Sequence, residues 1–375
     1  MFNSSEYLSN VEKLKRFVHS YQKRTEAFVS APLIYSILVT NKCNLSCKHC
    51  FYHATIDNNN SLDDQLSIDE YEKISRSMGW FLTGIFCGGE PYIREDFSEI
   101  ISIFQKNNRI ITADAASNGL LTDSILSQTE AIISSSAHQT FTLGISIDGF
   151  REQHDELRGY GTFDAVMETW RELKTLESHY SNFHPYICTT LNSLNEEGLD
   201  KFVQWSMREL KPNKISLLKI RQNPRDGEFL KDISYDNYDA CAKRIWEYIS
   251  EGLMGDVNKP QTYFLCSIYD LILKTIQTGA RQFHCYAGKY GGFIDYNGDV
   301  GFCEILDCIG NLRDFEYDIS KLWVCERATE LRKKVNHDKL CVACTHESEG
   351  FLPSIYFHPN DSFMDSINER SFIHE

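Results

Sequence analysis

Long apolar runs are missing from this chain of 375 residues. No stretch of about 18 consecutive apolar residues occurs, so no membrane span is expected. The opening MFNSSEYLSNVEKLKRFVHS also lacks the apolar core of a secretory signal, so the expectation is a cytoplasmic protein without a membrane partner. Basic side chains are a minority: 38 Lys and Arg stand against 53 Asp and Glu, a formal net charge of −15. With a pI near 5.3, a polyanion-binding surface is disfavoured and nucleic acid is not an expected partner. Internal repeats and low-complexity tracts are absent too. Hydrophobic residues make up 42% and charged residues 24%, which excludes global disorder and leaves ample material for a core. Cysteine, by contrast, is plentiful. The 13 cysteines form an odd number in a long chain with no secretory signal, so metal or redox chemistry fits better than a disulfide framework.

The length allows one large α/β domain with an appendage, or two ordinary domains. Residues 1–30 read as an amphipathic helix, with Val11, Leu14, Phe17, Val18 and Tyr21 at helical spacing. Six short apolar runs then read as buried strands, at 33–40, 81–86, 110–117, 140–148, 185–192 and 215–220. Polar, helically periodic stretches separate them. That alternation predicts parallel βα units forming an incomplete (β/α)6 barrel over residues 31–222, an α/β fold with its chemistry at the carboxyl ends of the strands. Helices are expected over 235–251 and 261–279, within a connection spanning 223–279. Residues 280–347 form a second, small α+β domain, and 348–375 a tail. The second domain holds a hairpin, GGFIDYNGDVGFC, with Asn297 and Gly298 at its turn.

Cys43, Cys47 and Cys50 lie in TNKCNLSCKHCFYHA, directly after the first predicted strand. Thiolates are the usual ligands of iron-sulfur clusters, and a 4Fe-4S cube normally takes four; three leave one iron open to a substrate or cosubstrate. A zinc loop completed by His49 or His53 is the bland alternative. CNLSCKHC resembles the CxxxCxxC signature of the radical S-adenosylmethionine enzymes, and the likeness continues along the barrel. It implies that the three cysteines hold a 4Fe-4S cluster whose open iron binds S-adenosylmethionine. Gly88, Gly89, Glu90 and Pro91 match that family's GGEP element, which implies contact with the methionine amino group. Ser117 and Asn118 after the third strand, and Ser146 and Asp148 at the fourth, resemble its methionine-carboxylate, ribose and substrate contacts; ordinary turn chemistry is the alternative. Thr189, Thr190 and Asn192 are weaker candidates of the same kind.

Cys285, Cys303, Cys341 and Cys344 form a second set, two flanking the hairpin and two in a CxxC turn. A zinc knot satisfies this spacing. Beside the barrel, the pattern is similar to the twitch or SPASM-type domain that holds an auxiliary 4Fe-4S cluster, with Cys308 and Cys325 as possible replacement ligands. Cys87, Cys188, Cys241 and Cys266 fit packing roles. The resemblance implies reductive cleavage of S-adenosylmethionine to a 5′-deoxyadenosyl radical and hydrogen abstraction from a substrate C–H bond. A flavodoxin- or ferredoxin-type protein would donate the electron. The substrate is expected to be a ribosomally made peptide, with an aminocyclitol, sugar or similar small polar molecule as the alternative; a zinc-stabilised binding module is the non-enzymatic alternative. Arg158, Glu304 and His346 are the candidate catalytic residues, with Glu347 beside the last. His154 and Asp155 share a predicted helix entry with Arg158, where capping and ion pairs are the plain reading. Arg221 and Arg225, past the sixth strand, meet either an anionic substrate or solvent.

Overall fold

A computed structural model describes residues 32–57, 64–136, 138–221, 223–230, 233–251 and 260–346. The expected N-terminal helix and C-terminal tail lie outside them, as do Glu347 and the side chain of Cys266. All six barrel strands form: β1 (Ile34–Thr40), β2 (Thr83–Gly88), β3 (Thr112–Ser117), β4 (Thr140–Ser146), β5 (Phe183–Leu191) and β6 (Ile215–Lys219). They pair in parallel in that order as one open, unclosed sheet. Intervening helices include α1 (His53–Asp57), α2 (Ile68–Met78), α3 (Phe97–Asn108), α4 (Thr122–Ser135), α5 (Arg151–Arg158), α6 (Thr162–Glu177) and α7 (Leu199–Glu209). After β6 come α8 (Tyr235–Ser250) and α9 (Pro260–Thr278), close to their expected bounds.

Local chemistry explains these elements. β1 is buried along its whole length, Ser36 and Thr40 included, as befits a strand with neighbours on both sides. In β3, TADAAS, every second residue is buried, so one face packs under helices while the other lines the barrel interior. Ser67 and Glu70 close a capping box at the start of α2. Between sheet and helices an aromatic cluster forms, with Phe81 edge-on to Tyr35 at 5.1 Å and to Phe104 at 6.0 Å between ring centroids.

The second domain does not stand apart from the barrel. Its hairpin, β7 (Gly291–Ile294) and β8 (Asp299–Gly301), with β9 (Gly310–Asn311) beyond, continues the same sheet. β7 pairs in parallel with β1, from Ile34 opposite Gly291 to Ile37 opposite Ile294. The result is one sheet of nine strands with β6 and β9 at its edges. Two short helices, α10 (Ile319–Trp323) and α11 (Glu326–Arg332), complete the small domain. No helix among the described residues is long and apolar enough to cross a membrane.

Candidate active site and metal centres

The loop carrying Cys43, Cys47 and Cys50 leaves β1 at the centre of the sheet and is tied down on three sides. On the first, the Gly89 amide donates to the Thr40 carbonyl at 2.8 Å and the Glu90 amide to the Lys42 carbonyl at 2.7 Å. The glycines of GGEP are therefore explained by the chain's own loop. A Cβ on Gly89 would sit 2.0 Å from the Lys42 oxygen, and one on Gly88, at φ +150°, 2.4 Å from the Thr40 oxygen. Gly89→Ala is expected to destabilise the protein by about 3 kcal/mol in denaturant unfolding and to weaken iron retention, because backbone cannot yield as a side-chain tip can. On the second side, the Lys48 amide donates to the Leu157 carbonyl at 3.0 Å. On the third, the Arg225 amide donates to the Cys50 carbonyl at 3.0 Å and the Asp226 amide to the Lys48 carbonyl at 2.8 Å.

Two buried carboxylates flank this loop. Glu90 accepts from the Asn118 amide at 2.7 Å, the Ser117 hydroxyl at 2.9 Å and the Tyr92 amide at 3.3 Å. Burial pushes its carboxyl up to about 7, against these donors. The Asn118 side chain donates to Asn44 at 2.7 Å and lies 4.0 Å from the Cys43 sulfur. Asp148, wholly buried, accepts from the Arg158 guanidinium at 2.6 Å and the Thr190 amide at 2.7 Å, and lies 3.4 Å from His49 Nε2. Burial alone would push Asp148 up, yet Arg158, His49 and the Thr190 amide hold it below the usual carboxylate range. A second guanidinium nitrogen of Arg158 is 3.9 Å from the Cys47 sulfur. Burial drives His49 down to about 4, so its imidazole is neutral at pH 7.

Glu90, Ser117, Asn118, Asp148 and Arg158 thus gather around the three thiols. The three helix-entry candidates divide their labour: Asp155 accepts from the Gly161 and Phe163 amides and serves the turn, His154 packs against Phe163, and Arg158 turns to the Cys47 thiol. Thr189 donates across to the Ile147 carbonyl at 2.7 Å, whereas Asn192 bonds locally to the Thr190 carbonyl at 2.9 Å. Ser146 ends β4 opposite Cys188.

Three members of the second set lie near one another. Cys285 lies within electrostatic reach of Cys341 and Cys344, and burial pushes its thiol up to about 12. Cys303 follows β8, and its neighbour Glu304 lies 3.3 Å from Nδ1 of His346, two residues beyond Cys344. Cys325 instead caps α11, its sulfur 3.4 Å from the Ala328 amide, and the charged neighbours of Cys308 are Asp299, Asp295, Asp307 and Arg327. Cys241 is buried among apolar residues, as a packing thiol should be.

Every described cysteine is a free thiol. Among the described residues no three His, Cys, Asp or Glu side chains converge closely enough to hold a single metal ion. Cys43, Cys47 and Cys50 nevertheless feel one another electrostatically. Three thiolates on one loop are the donor type that a 4Fe-4S cube takes. Burial pushes Cys43 up to about 11, so ligation by the thiolate needs the positive charge that iron would bring.

Three side chains meet between the two cysteine sets. Arg221, past β6, ion-pairs with Glu304, which also faces His346. The Arg221 guanidinium lies 4.4 Å from the centre of the Phe51 ring, next to Cys50. No spacing in the sequence joins these positions. Tyr52, two residues past Cys50, donates to Asp295 on the hairpin at 2.6 Å, a second bridge that sequence reasoning missed.

Residues 37–205 match the radical SAM superfamily, and residues 285–345 match the SPASM iron-sulfur cluster-binding domain. Iron-coproporphyrin III synthase of Methanosarcina barkeri is 30% identical over 132 residues, 34% of this chain and 31% of that protein. Mycofactocin maturase MftC of Mycolicibacterium smegmatis is 25% identical over 227 residues, 60% of this chain and 53% of that one. The chain thus spans about a third to a half of the length of these relatives. Among solved structures, Streptococcus suis SuiB bound to S-adenosylmethionine superposes with a TM-score of 0.60 at 16% identity, over 92% of this chain and 76% of SuiB. SuiB has also been solved bound to its precursor peptide SuiA. With the cysteine loop at the centre of an open parallel sheet and a second thiol set on that sheet's extension, the chain belongs to the radical S-adenosylmethionine superfamily, in the group that carries a SPASM iron-sulfur domain.

Proposed function

We propose that the protein carries out a radical oxidation of a ribosomally made peptide, begun at the Cys43, Cys47 and Cys50 cluster and completed by transfer of an electron to the auxiliary cluster. The observation that carries this reading is the meeting of Arg221, Glu304 and His346 between the two cysteine sets. A substrate held there lies between a source of hydrogen abstraction and a sink for one electron. When bound, the first cluster and S-adenosylmethionine supply the radical that takes hydrogen from an unactivated C–H bond.

The chain's own residues do the rest. Glu90, Ser117 and Asn118 present polar groups to the methionine end, and Arg158 adds a buried cation beside Cys47. Glu304 accepts the proton that must leave if the product is a two-electron oxidation, with His346 and Arg221 holding its carboxylate in place. Phe51 and Ile305, 40% and 36% exposed, give apolar walls next to those polar groups. This mixture suits a peptide side chain. Similarity to a maturase and to a peptide-bound enzyme supports the same class.

The anaerobically reconstituted protein, given S-adenosylmethionine and a low-potential one-electron donor of the flavodoxin or ferredoxin type, is expected to form 5′-deoxyadenosine. Peptides encoded beside its gene should lose a hydrogen pair, read by mass spectrometry. Oxidation of aminocyclitols or sugars with untouched peptides would instead select the small-molecule reading, and a colourless zinc protein would end both.

A further inference from the structure

Arg225 lies outside the strands and helices, in the segment past β6, and sequence alone offered it an anionic substrate or solvent. The structure gives it partners of the chain's own. Its amide donates to the Cys50 carbonyl at 3.0 Å, and Nη1 donates to Asp57 at 2.6 Å, at the end of α1. The same segment adds the Asp226 amide on Lys48, so backbone and side chain together pin Arg225 to the cysteine loop. Two donors remain. Nε and Nη2 are buried, and among the described residues neither has a hydrogen-bond partner. An unsatisfied buried guanidinium donor is costly, so its retention calls for an explanation. The charge of Arg225 acts on the thiols of both Cys47 and Cys50.

We infer that Arg225 is a positioning residue for the first cluster, donating from its two unpartnered nitrogens to sulfur on the Cys47 and Cys50 side and thereby favouring the reduced state. Reduction adds one electron, supplied by the low-potential donor, to a site already carrying three thiolates. A fixed cation with N–H donors stabilises the more negative state and raises the reduction potential. Arg158 also acts on both thiols, but its Nε donates to the fully buried Asp148 at 2.6 Å, whereas the Asp57 that pairs with Arg225 has a side chain 45% exposed to solvent.

The inference rests on the cluster reading, and the experiment separates the two. Wild type, Arg225→Gln and Arg225→Lys are reconstituted as full chains, iron is counted, and the first cluster is titrated by electron paramagnetic resonance. Arg225→Gln is expected to lower the potential by a tenfold change in the reduction equilibrium, about 59 mV for one electron. Arg225→Lys should recover part of that shift, since it keeps charge but loses the fork, and the auxiliary cluster's potential should stay put. If Arg225→Gln fails to load iron, the lysine variant alone decides. An unmoved potential in whichever variant loads iron overturns the inference, and a wild type without a redox-active cluster overturns the cluster reading itself.

Discussion

Replacing Cys43, Cys47 or Cys50 by alanine is expected to abolish 5′-deoxyadenosine formation while leaving the auxiliary cluster in place. Iron should fall from about eight to about four atoms per chain, the loss of one cube from two. The effect is large because a cube that loses one of three protein thiolates is poorly held. His49, the nearest imidazole in the sequence motif, has its Nε2 engaged by Asp148 at 3.4 Å and Arg158 at 3.3 Å. The complementary change, Cys341→Ala, should remove the other half of the iron and spare 5′-deoxyadenosine formation. Equal residual cleavage in a Cys47 variant and in wild type would sink the assignment of the loop.

Glu304→Gln is the second change with a large expected effect, and its signature is a split between two products. S-adenosylmethionine cleavage should persist, since Glu304 belongs to the second domain and not to the cysteine loop. Peptide oxidation should drop by about 10²–10⁴-fold, the usual contribution of a positioned base. Glutamine keeps the shape and can still accept a hydrogen bond from Arg221, so the variant tests the proton acceptor and not the packing. Both iron counts and the melting transition check that the domain remains intact. Retained peptide oxidation in a folded Glu304→Gln protein would remove Glu304 from the proton path.

Much of this arrangement is legible before any coordinates. The strands announce themselves because parallel strands buried on both faces are short apolar runs, and the helices between them keep a 3.6-residue period. The cysteine loop is legible because its ligands are close in sequence. What escapes is everything that depends on distant segments meeting. The pairing of β7 with β1 joins residues more than 250 positions apart, and a parallel register leaves no turn signal. Arg221, Glu304 and His346 come from three separate segments, so only the fold shows that they form one cluster. The GGEP glycines were legible as a close approach, but the partner in that approach is the chain's own Thr40 and Lys42.

The continuous sheet carries one more implication. A ladder of hydrogen bonds between β1 and β7 makes the separation of the two inorganic centres a fixed dimension, set by strand spacing and not by the length of a tether. Electron tunnelling falls steeply with separation, so a rigid junction of this kind gives every turnover the same electrical coupling.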